Sequence, residues 1–331
     1  MTGPAAERAA GIHCLPIPTP FAVGRVNCYL VEDDPLTLVD TGPNSGKALD
    51  ELERALAEHG RRIEDLERIV ITHQHIDHIG LVAILADRSG AEVCALDALA
   101  PWLARYSEVM EADDAFAEAI MLRHGIPEDV VFALRAVTRS FRAWGASCRV
   151  GTPLADGALL PFAGRAWRVH HRPGHSPSDT VFHDEASGEL VGGDHLIKHI
   201  SSNPLISRPL AGGEPGERPK ALVAYLASLR ATRDMELTVV LPGHGDPVDD
   251  HRALIDERFV MHERRAAKLH GLVAERPRTA HELAQELWGN VAVTQAYLTL
   301  SEVLGHVDLL LDDGRVVEEE ADGVVRFVAT R

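Results

Sequence analysis

The chain opens with short apolar runs broken by turns, not with long helical stripes. Ile12 to Ile17, Asn27 to Val31 and Leu36 to Val39 predict three adjacent strands, the last two joined by the turn Glu32-Asp33-Asp34-Pro35. Over Ser45 to Glu58 the period changes. Leu49, Leu52 and Leu56 share one face and charges fill the others, which predicts a helix. A strand over Arg68 to Ile71 follows, and then an almost wholly apolar helix over Ile79 to Arg88, stopped at Gly90. Being apolar all round, that helix must be buried.

Two further stretches have different patterning. Residues 97–149 are helical in character: Pro127 starts a run in which Val130, Leu134, Val137, Phe141 and Trp144 fall on one stripe. After residue 250 the pattern predicts helices over Asp256 to Glu275, Thr279 to Leu287 and Thr294 to Leu311, the second opened by a Thr279/Glu282 capping box. Val316 to Glu319 and Val324 to Val328 then flank Ala321-Asp322-Gly323, a hairpin signal. The chain thus divides into residues 1–250, with a helical insertion at 97–149, and residues 251–331, three helices and a hairpin resembling a winged-helix module.

The chemistry is concentrated in Ile71-Thr72-His73-Gln74-His75-Ile76-Asp77-His78, directly after a strand. In an extended chain His73 and His75 point the same way, and the turn beyond them swings Asp77 and His78 toward a second point. Imidazole and carboxylate are ligands for divalent zinc, manganese or iron, so the run suggests two adjacent sites. Three apolar runs downstream end in similar fragments. Val169 to Arg172 leads into Pro173-Gly174-His175, Leu190 to Gly193 into Asp194-His195, and Val239 to Leu241 into Pro242-Gly243-His244.

These residues resemble the metallo-β-lactamase superfamily, whose signature is the HxHxDH run followed by single His, Asp and His ligands on later loops. The resemblance spans roughly residues 11–250 and implies an α/β fold, an αββα sandwich with a dinuclear metal centre along one edge. By that resemblance His73, His75 and His175 would hold one ion, Asp77, His78 and His244 the other, and Asp194 would bridge them. Asp40, in Val39-Asp40-Thr41-Gly42, matches a further landmark and reads either as support for the ligand loop or as a plain turn residue capping Gly42. Asp194 stands where the β-lactamases of this superfamily place cysteine, which argues against antibiotic hydrolysis. His75 replaces the carboxylate of the flavodiiron oxygen reductases, which argues against redox chemistry. Ser176-Pro177-Ser178-Asp179 after His175 departs from the hydroxyacylglutathione hydrolases and weakens the case for a glutathione thioester.

Composition narrows the partners. A net charge of −17 disfavours nucleic acid and anionic membrane. The order of sandwich then winged helix is similar to a branch that includes mitochondrial-type endoribonucleases. However, Thr294 to Leu311 carries no Lys or Arg, and the hairpin carries Glu318, Glu319, Glu320 and Asp322. The module therefore reads as a packing or dimerisation element, with a homodimer as the assembly it would suit. Cys14, Cys28, Cys94 and Cys148 show no metal or disulfide spacing. No leader opens the chain and no apolar run nears the ~20 residues of a membrane span, so a cytoplasmic protein is expected.

The expected function is hydrolysis of an ester, thioester or lactone with an apolar portion, by hydroxide held between two divalent ions, zinc first, with manganese or iron as alternatives. Asp77 would orient the water, and His195, with Lys198 or His199 beyond it, would reach the leaving group. Trp102, Tyr106, Met110 and Met121 of the insertion are the candidates for a substrate pocket. A phosphodiesterase or endoribonuclease, and a non-enzymatic metal-bound scaffold, are the alternatives. A single-iron sulfur dioxygenase shares much of the ligand pattern. The other histidines, His262 and His306 among them, are expected to be surface or core residues.

Overall fold

The computed structural model describes residues 11–162, 164–211 and 218–330. Two sheets lie face to face. The first runs in the order β1 (Ile12–Ile17), β2 (Val26–Val31), β3 (Thr37–Val39), β4 (Arg68–Val70), β5 (Glu92–Leu96) and β6 (Thr152–Leu154). It is antiparallel through β3 and parallel beyond, with Val39 opposite Val70 and Val70 opposite Cys94. The second contains β7 (Leu159–Phe162), β8 (Arg165–His171), β9 (Thr180–Asp184), β10 (Glu189–Gly193) and β11 (Val239–Pro242), antiparallel except for the β10–β11 pair.

Tyr29, Val31, Val39, Val70 and Cys94 of the first sheet meet Trp167, Val169, Phe182, Val191 and Leu241 of the second in the central core. Strands such as β2 and β10 are buried on both faces, which is why they read as apolar runs without alternation. Outside the first sheet pack α1 (Gly46–Glu58), through Leu52 and Leu56, and α3 (Val82–Ser89), through Val82 and Leu85. Outside the second packs α7 (Ala221–Arg233), through Leu222, Tyr225, Leu226 and Leu229. The result is the four-layered αββα sandwich, each fully buried aliphatic side chain contributing about 1.5–3 kcal/mol.

The helix expected over Ile79 to Arg88 is split into α2 (Ile76–Ile79) and α3. A Cβ at Gly80, between them, would lie 2.3 Å from the Asn44 amide, so the chain turns there against the Pro43-Asn44 backbone. The insertion forms α4 (Ala100–Ala104), α5 (Tyr106–Arg123) and α6 (Glu128–Phe141). Its expected stripe is only partly covered, because Val131 is the buried residue of α6 and Val137 is exposed. After β11 come α8 (His251–Glu275), α9 (Ala280–Trp288), the short α10 (Val291–Thr294), α11 (Ala296–Asp312) and the hairpin β12 (Val316–Ala321) with β13 (Val324–Ala329). The three expected helices and the hairpin appear in order, with the short α10 added before the third. Ile120, Met121, Ile126 and Val131 of the insertion region share one core with Leu269, Leu283, Leu300, Val303, Leu304 and Phe327. The C-terminal helices are thus clamped between the insertion and α7. No helix among the described residues is long and apolar enough to cross a membrane.

Candidate metal centre

The carboxyl ends of β3, β4, β8, β10 and β11 deliver their loops to one edge of the sandwich, where open α/β sheets usually place their ligands. His73 and His75 follow β4, and His175 follows β8. His73 Nε2 and His175 Nε2 lie 3.1 Å and 2.8 Å from His75 Nδ1. Three imidazole lone pairs this close cannot all be satisfied by protons. Ring nitrogens about 2.0–2.1 Å from a shared zinc-like ion would satisfy them. The outward nitrogens of two of these rings are fixed: His73 Nδ1 by Thr72 Oγ1 at 3.0 Å and His175 Nδ1 by the Asn203 carbonyl at 3.0 Å.

Beside this triad, His78 Nε2 lies 3.3 Å from Asp194 Oδ1, and His244 Nε2 lies 3.3 Å from Asp77 Oδ2 and 3.4 Å from Asp194 Oδ2. Asp194 Oδ2 is also 3.6 Å from His175 Nε2, so its carboxylate touches both groups. His78 Nε2, His244 Nε2 and Asp194 Oδ1 are buried and make no hydrogen bond. Each would cost about 1–3 kcal/mol if left unsatisfied. A pair of divalent ions held by His73, His75 and His175 on one side and Asp77, His78 and His244 on the other, with Asp194 between, would satisfy them together. The donor set therefore fits two ions.

The electrostatics agree. Burial, reinforced by neighbouring imidazoles, holds His73 well below the usual histidine range and His75 at about 3, so both rings are neutral, the form that binds metal. At His78 burial works against charge, but Asp194, Asp40 and Asp77 outweigh it and hold the ring well above its ordinary value. His244 is likewise raised to about 9, burial being overcome by Asp194 and Asp77. Asp194 and Asp77 are lowered despite burial, through His78 and His244. The carboxylates demand positive charge at this spot, and bound cations would supply it.

Hydrogen-bond partners beyond the candidate ligands hold the loops. Asp40, at φ 57°, accepts from the Thr72 amide at 2.9 Å, the Thr72 hydroxyl at 2.8 Å and His78 Nδ1 at 2.8 Å, so it supports the ligand loop and is no simple turn residue. Asn27 Nδ2 donates to the carbonyls of Pro242 and Gly245, on either side of His244, whose Nδ1 meets the Arg25 carbonyl at 2.8 Å. Ser178 Oγ donates to Gln74 Oε1 at 2.7 Å, tying the His175 loop to the His73 loop. The buried Asp179 accepts from Ser176 N and Oγ at 2.8 Å, its carboxyl raised to about 6 by burial. Except for the Asp179–Ser176 pair these partners come from distant segments, and several are backbone carbonyls, which leave no mark in a sequence.

Several expectations are corrected by placement. The ring of His195 is fully buried, and its Nε2 is spent on Thr232 Oγ1 at 2.8 Å under α7, so it is not available to a substrate. Trp102 and Tyr106 are core residues, with Trp102 Nε1 bonded to Asp113 and Tyr106 OH to the Arg142 carbonyl, and Met121 is buried with the C-terminal helices. Apolar spacing marks a buried face without saying what covers it. Met110 packs partly buried against the same core as Trp102. Lys198 is exposed near Asp249, and His199 is exposed with its ring over Gly245, next to His244. Phe21, Phe141 and Trp144 form a half-buried aromatic cluster, with Phe21 in contact with the other two at 5.9 Å and 6.3 Å. Phe21 shares the β1–β2 turn with Arg25, and the Trp144 carbonyl accepts from Asn44, which abuts Gly80.

His262, Glu302 and His306 form a second buried cluster. Its groups serve one another: Arg265 pairs with Glu302, His306 Nδ1 donates to the Glu302 carbonyl, and the two rings meet at 3.0 Å. It is a buried core network in which His262 Nε2 alone of the cluster's ring nitrogens has no hydrogen-bond partner.

Comparison with known proteins gives the same fold. A solved metallo-beta-lactamase family protein from Thermus thermophilus superposes with a TM-score of 0.79 at 28% identity, covering 97% of this chain and 99% of that one. Probable metallo-hydrolase YqjP of Bacillus subtilis (strain 168) is 35% identical over 294 residues, 89% of this chain and 90% of that protein. A shorter stretch of 67 residues, 20% of this chain and 23% of the relative, is 45% identical to exodeoxyribonuclease WalJ of Streptococcus pneumoniae. The profile of the metallo-beta-lactamase superfamily matches residues 22–244, more than half of the sequence and a span that includes every candidate ligand, and the chain belongs to that superfamily.

Proposed function

We propose that this metallo-hydrolase cleaves an ester, thioester or lactone whose substrate carries an apolar portion. One observation carries the hydrolytic reading: seven His and Asp side chains converge, three of their inward atoms buried and unsatisfied. Two bound divalent ions would supply a nucleophile from water near neutral pH and polarise the scissile group. Zinc suits the imidazole-rich set, and manganese and iron are accepted by the same donors.

The chain's own residues do the rest. Asp194 has both oxygens engaged by ligand histidines and fixes the spacing of the two groups. Asp77 contacts His244 through Oδ2, and it is the carboxylate we assign to take up the proton as water attacks. His199, exposed beside Gly245, is the residue we assign to donate a proton to the leaving atom. We assign the cluster of Phe21, Phe141 and Trp144 as the apolar wall for the acyl portion; its ring contacts support that reading.

The stretch shared with WalJ favours a second reading, phosphodiester cleavage. The C-terminal hairpin opposes it by exposing Glu318, Glu319 and Glu320, while Val303, Leu304 and Val307 of α11 are already buried within the chain, so that helix cannot enter a groove. The test is turnover of metal-quantified protein on acyl thioesters, aryl esters, lactones, bis-p-nitrophenyl phosphate and single-stranded nucleic acid, with and without chelator. Chelator-sensitive acyl cleavage with inert phosphodiesters is expected. The reverse preference overturns the acyl reading.

A further inference from the structure

We propose that the C-terminal helices are a positioning element for the metal ligand His175, acting through Asn203; this rests on the reading of the site as a metal centre. Between Asp194 and residue 211 the chain forms no helix or strand, so its backbone groups must find partners elsewhere. It finds them largely on α8 and α11. Arg258 of α8 donates to the carbonyls of Ile197, Lys198 and Ile200 at 3.2, 3.0 and 3.0 Å. Tyr297 OH of α11 donates to the Ile206 carbonyl, and the Ile206 amide donates to Ser301 Oγ at 3.4 Å. Asn203 Nδ2 donates to the Leu298 carbonyl at 3.1 Å, while the backbone carbonyl of the same residue accepts from His175 Nδ1 at 3.0 Å.

One irregular segment therefore leaves the ligand Asp194, is pinned by Arg258, Leu298, Tyr297 and Ser301 of the C-terminal helices, and fixes the outward nitrogen of the ligand His175 on its way. The carbonyl that selects the His175 tautomer and sets the ring plane is held by a side-chain tether to α11, while its neighbours Ser202 and Leu205 bond the carbonyls of Asp194 and His175. Such outer partners commonly matter to affinity by about 10–100-fold when lost. Asn203 and Arg258 make no contact with the ligand atoms, so they are positioning residues and not catalytic ones.

Asn203→Ala keeps the backbone carbonyl and removes only the tether. Arg258→Lys keeps the charge but, being shorter, removes the Nη2 that reaches the three carbonyls. Each variant is compared with the full-length wild type by metal stoichiometry, by competition with a chelating dye, and by the visible spectrum of the cobalt(II)-substituted protein. The expected result is one ion per chain bound about 10-fold or more weaker, with an altered cobalt spectrum, while the other ion stays tight. Wild-type affinity and spectrum in both variants, whatever happens to Tm, overturn the proposal. Should Asn203→Ala fail to fold, Tyr297→Phe, which deletes one hydroxyl from the same segment, is read in the same way. Because the readout is metal and not turnover, a wild-type protein that binds two ions yet spares acyl substrates would sink the substrate reading alone.

Discussion

His78 Nδ1 donates to Asp40 Oδ2 at 2.8 Å, and that carboxylate also receives both the amide and the hydroxyl of Thr72. One side chain thus orients a ligand ring and anchors the start of the ligand loop. Asn tolerates the positive φ of 57° found at Asp40. Asp40→Asn should therefore keep the fold and weaken one of the two ions by about 10–100-fold, measured by chelator competition. Unchanged affinity would reduce Asp40 to a turn residue.

His75→Ala and Asp194→Ala test the centre directly. His75 Nδ1 is the nitrogen that both neighbouring imidazoles face, and Asp194 touches both groups. Each variant should lose turnover on every substrate of the panel while far-UV circular dichroism stays that of the wild type. Full activity in either would remove the site assignment.

Glycine matters at position 243 for a steric reason. A Cβ there would sit 2.2 Å from Asp194 Oδ1 and 2.8 Å from His78 Cε1. Gly243→Ala should displace Asp194, with loss of at least one ion by metal analysis. Gly271, inside α8 with open space around its would-be Cβ, is the contrast. Gly271→Ala should stabilise the protein by about 0.5–1 kcal/mol in denaturant titration, since Gly costs a helix interior backbone entropy.

Two histidines remote from the ligands set an acid limb to stability. His124 and His262 are pushed down to about 3, burial being the main cause. In the unfolded chain each titrates at ~6.5. Below that pH the unfolded chain takes up protons that the folded protein refuses. Stability is therefore full above about pH 6.5 and falls as pH drops toward 3, by up to about 1.4 kcal/mol per pH unit for each group. Neither ring nitrogen of His124 has a hydrogen-bond partner, so His124→Leu should make the limb shallower in urea titrations across pH. Parallel curves for the two proteins would refute this.

Trp144→Ala probes the aromatic wall. Removing the indole from the Phe21 and Phe141 cluster should lower kcat/KM about 10-fold for a long acyl chain, or ~1.4 kcal/mol, and leave acetyl esters almost unchanged. An equal loss for both would detach the cluster from substrate binding.

The candidate ligands that the structure gathers were legible in the sequence because each lies within a few residues of the end of an apolar strand, on a loop or, for Asp77 and His78, on the short α2. Asp40 was half legible: its position could be read, but the triple hydrogen bond needs β3 and β4 side by side. Asn27, Asn203 and Ser178 were not legible, since their partners lie far along the chain or are backbone carbonyls. The pocket expectation failed for a related reason. The stripe holding Trp102 and Tyr106 shows that a face is covered, and here the cover is the sandwich core. Phe21 and Trp144 are brought together only by the folded chain.

The candidate ligands are spread from residue 73 to residue 244, and both sheets contribute. Order of synthesis then has a consequence. A nascent chain cannot present a complete site until His244 has left the ribosome, and with Asn203 as its positioning residue His175 is not fixed in orientation until Leu298 has followed. Closing so long a loop costs conformational entropy before any ion rewards it, so metal capture should be among the last events in the maturation of this protein. Cells short of metal would then accumulate chains whose two sheets are assembled but not yet clasped.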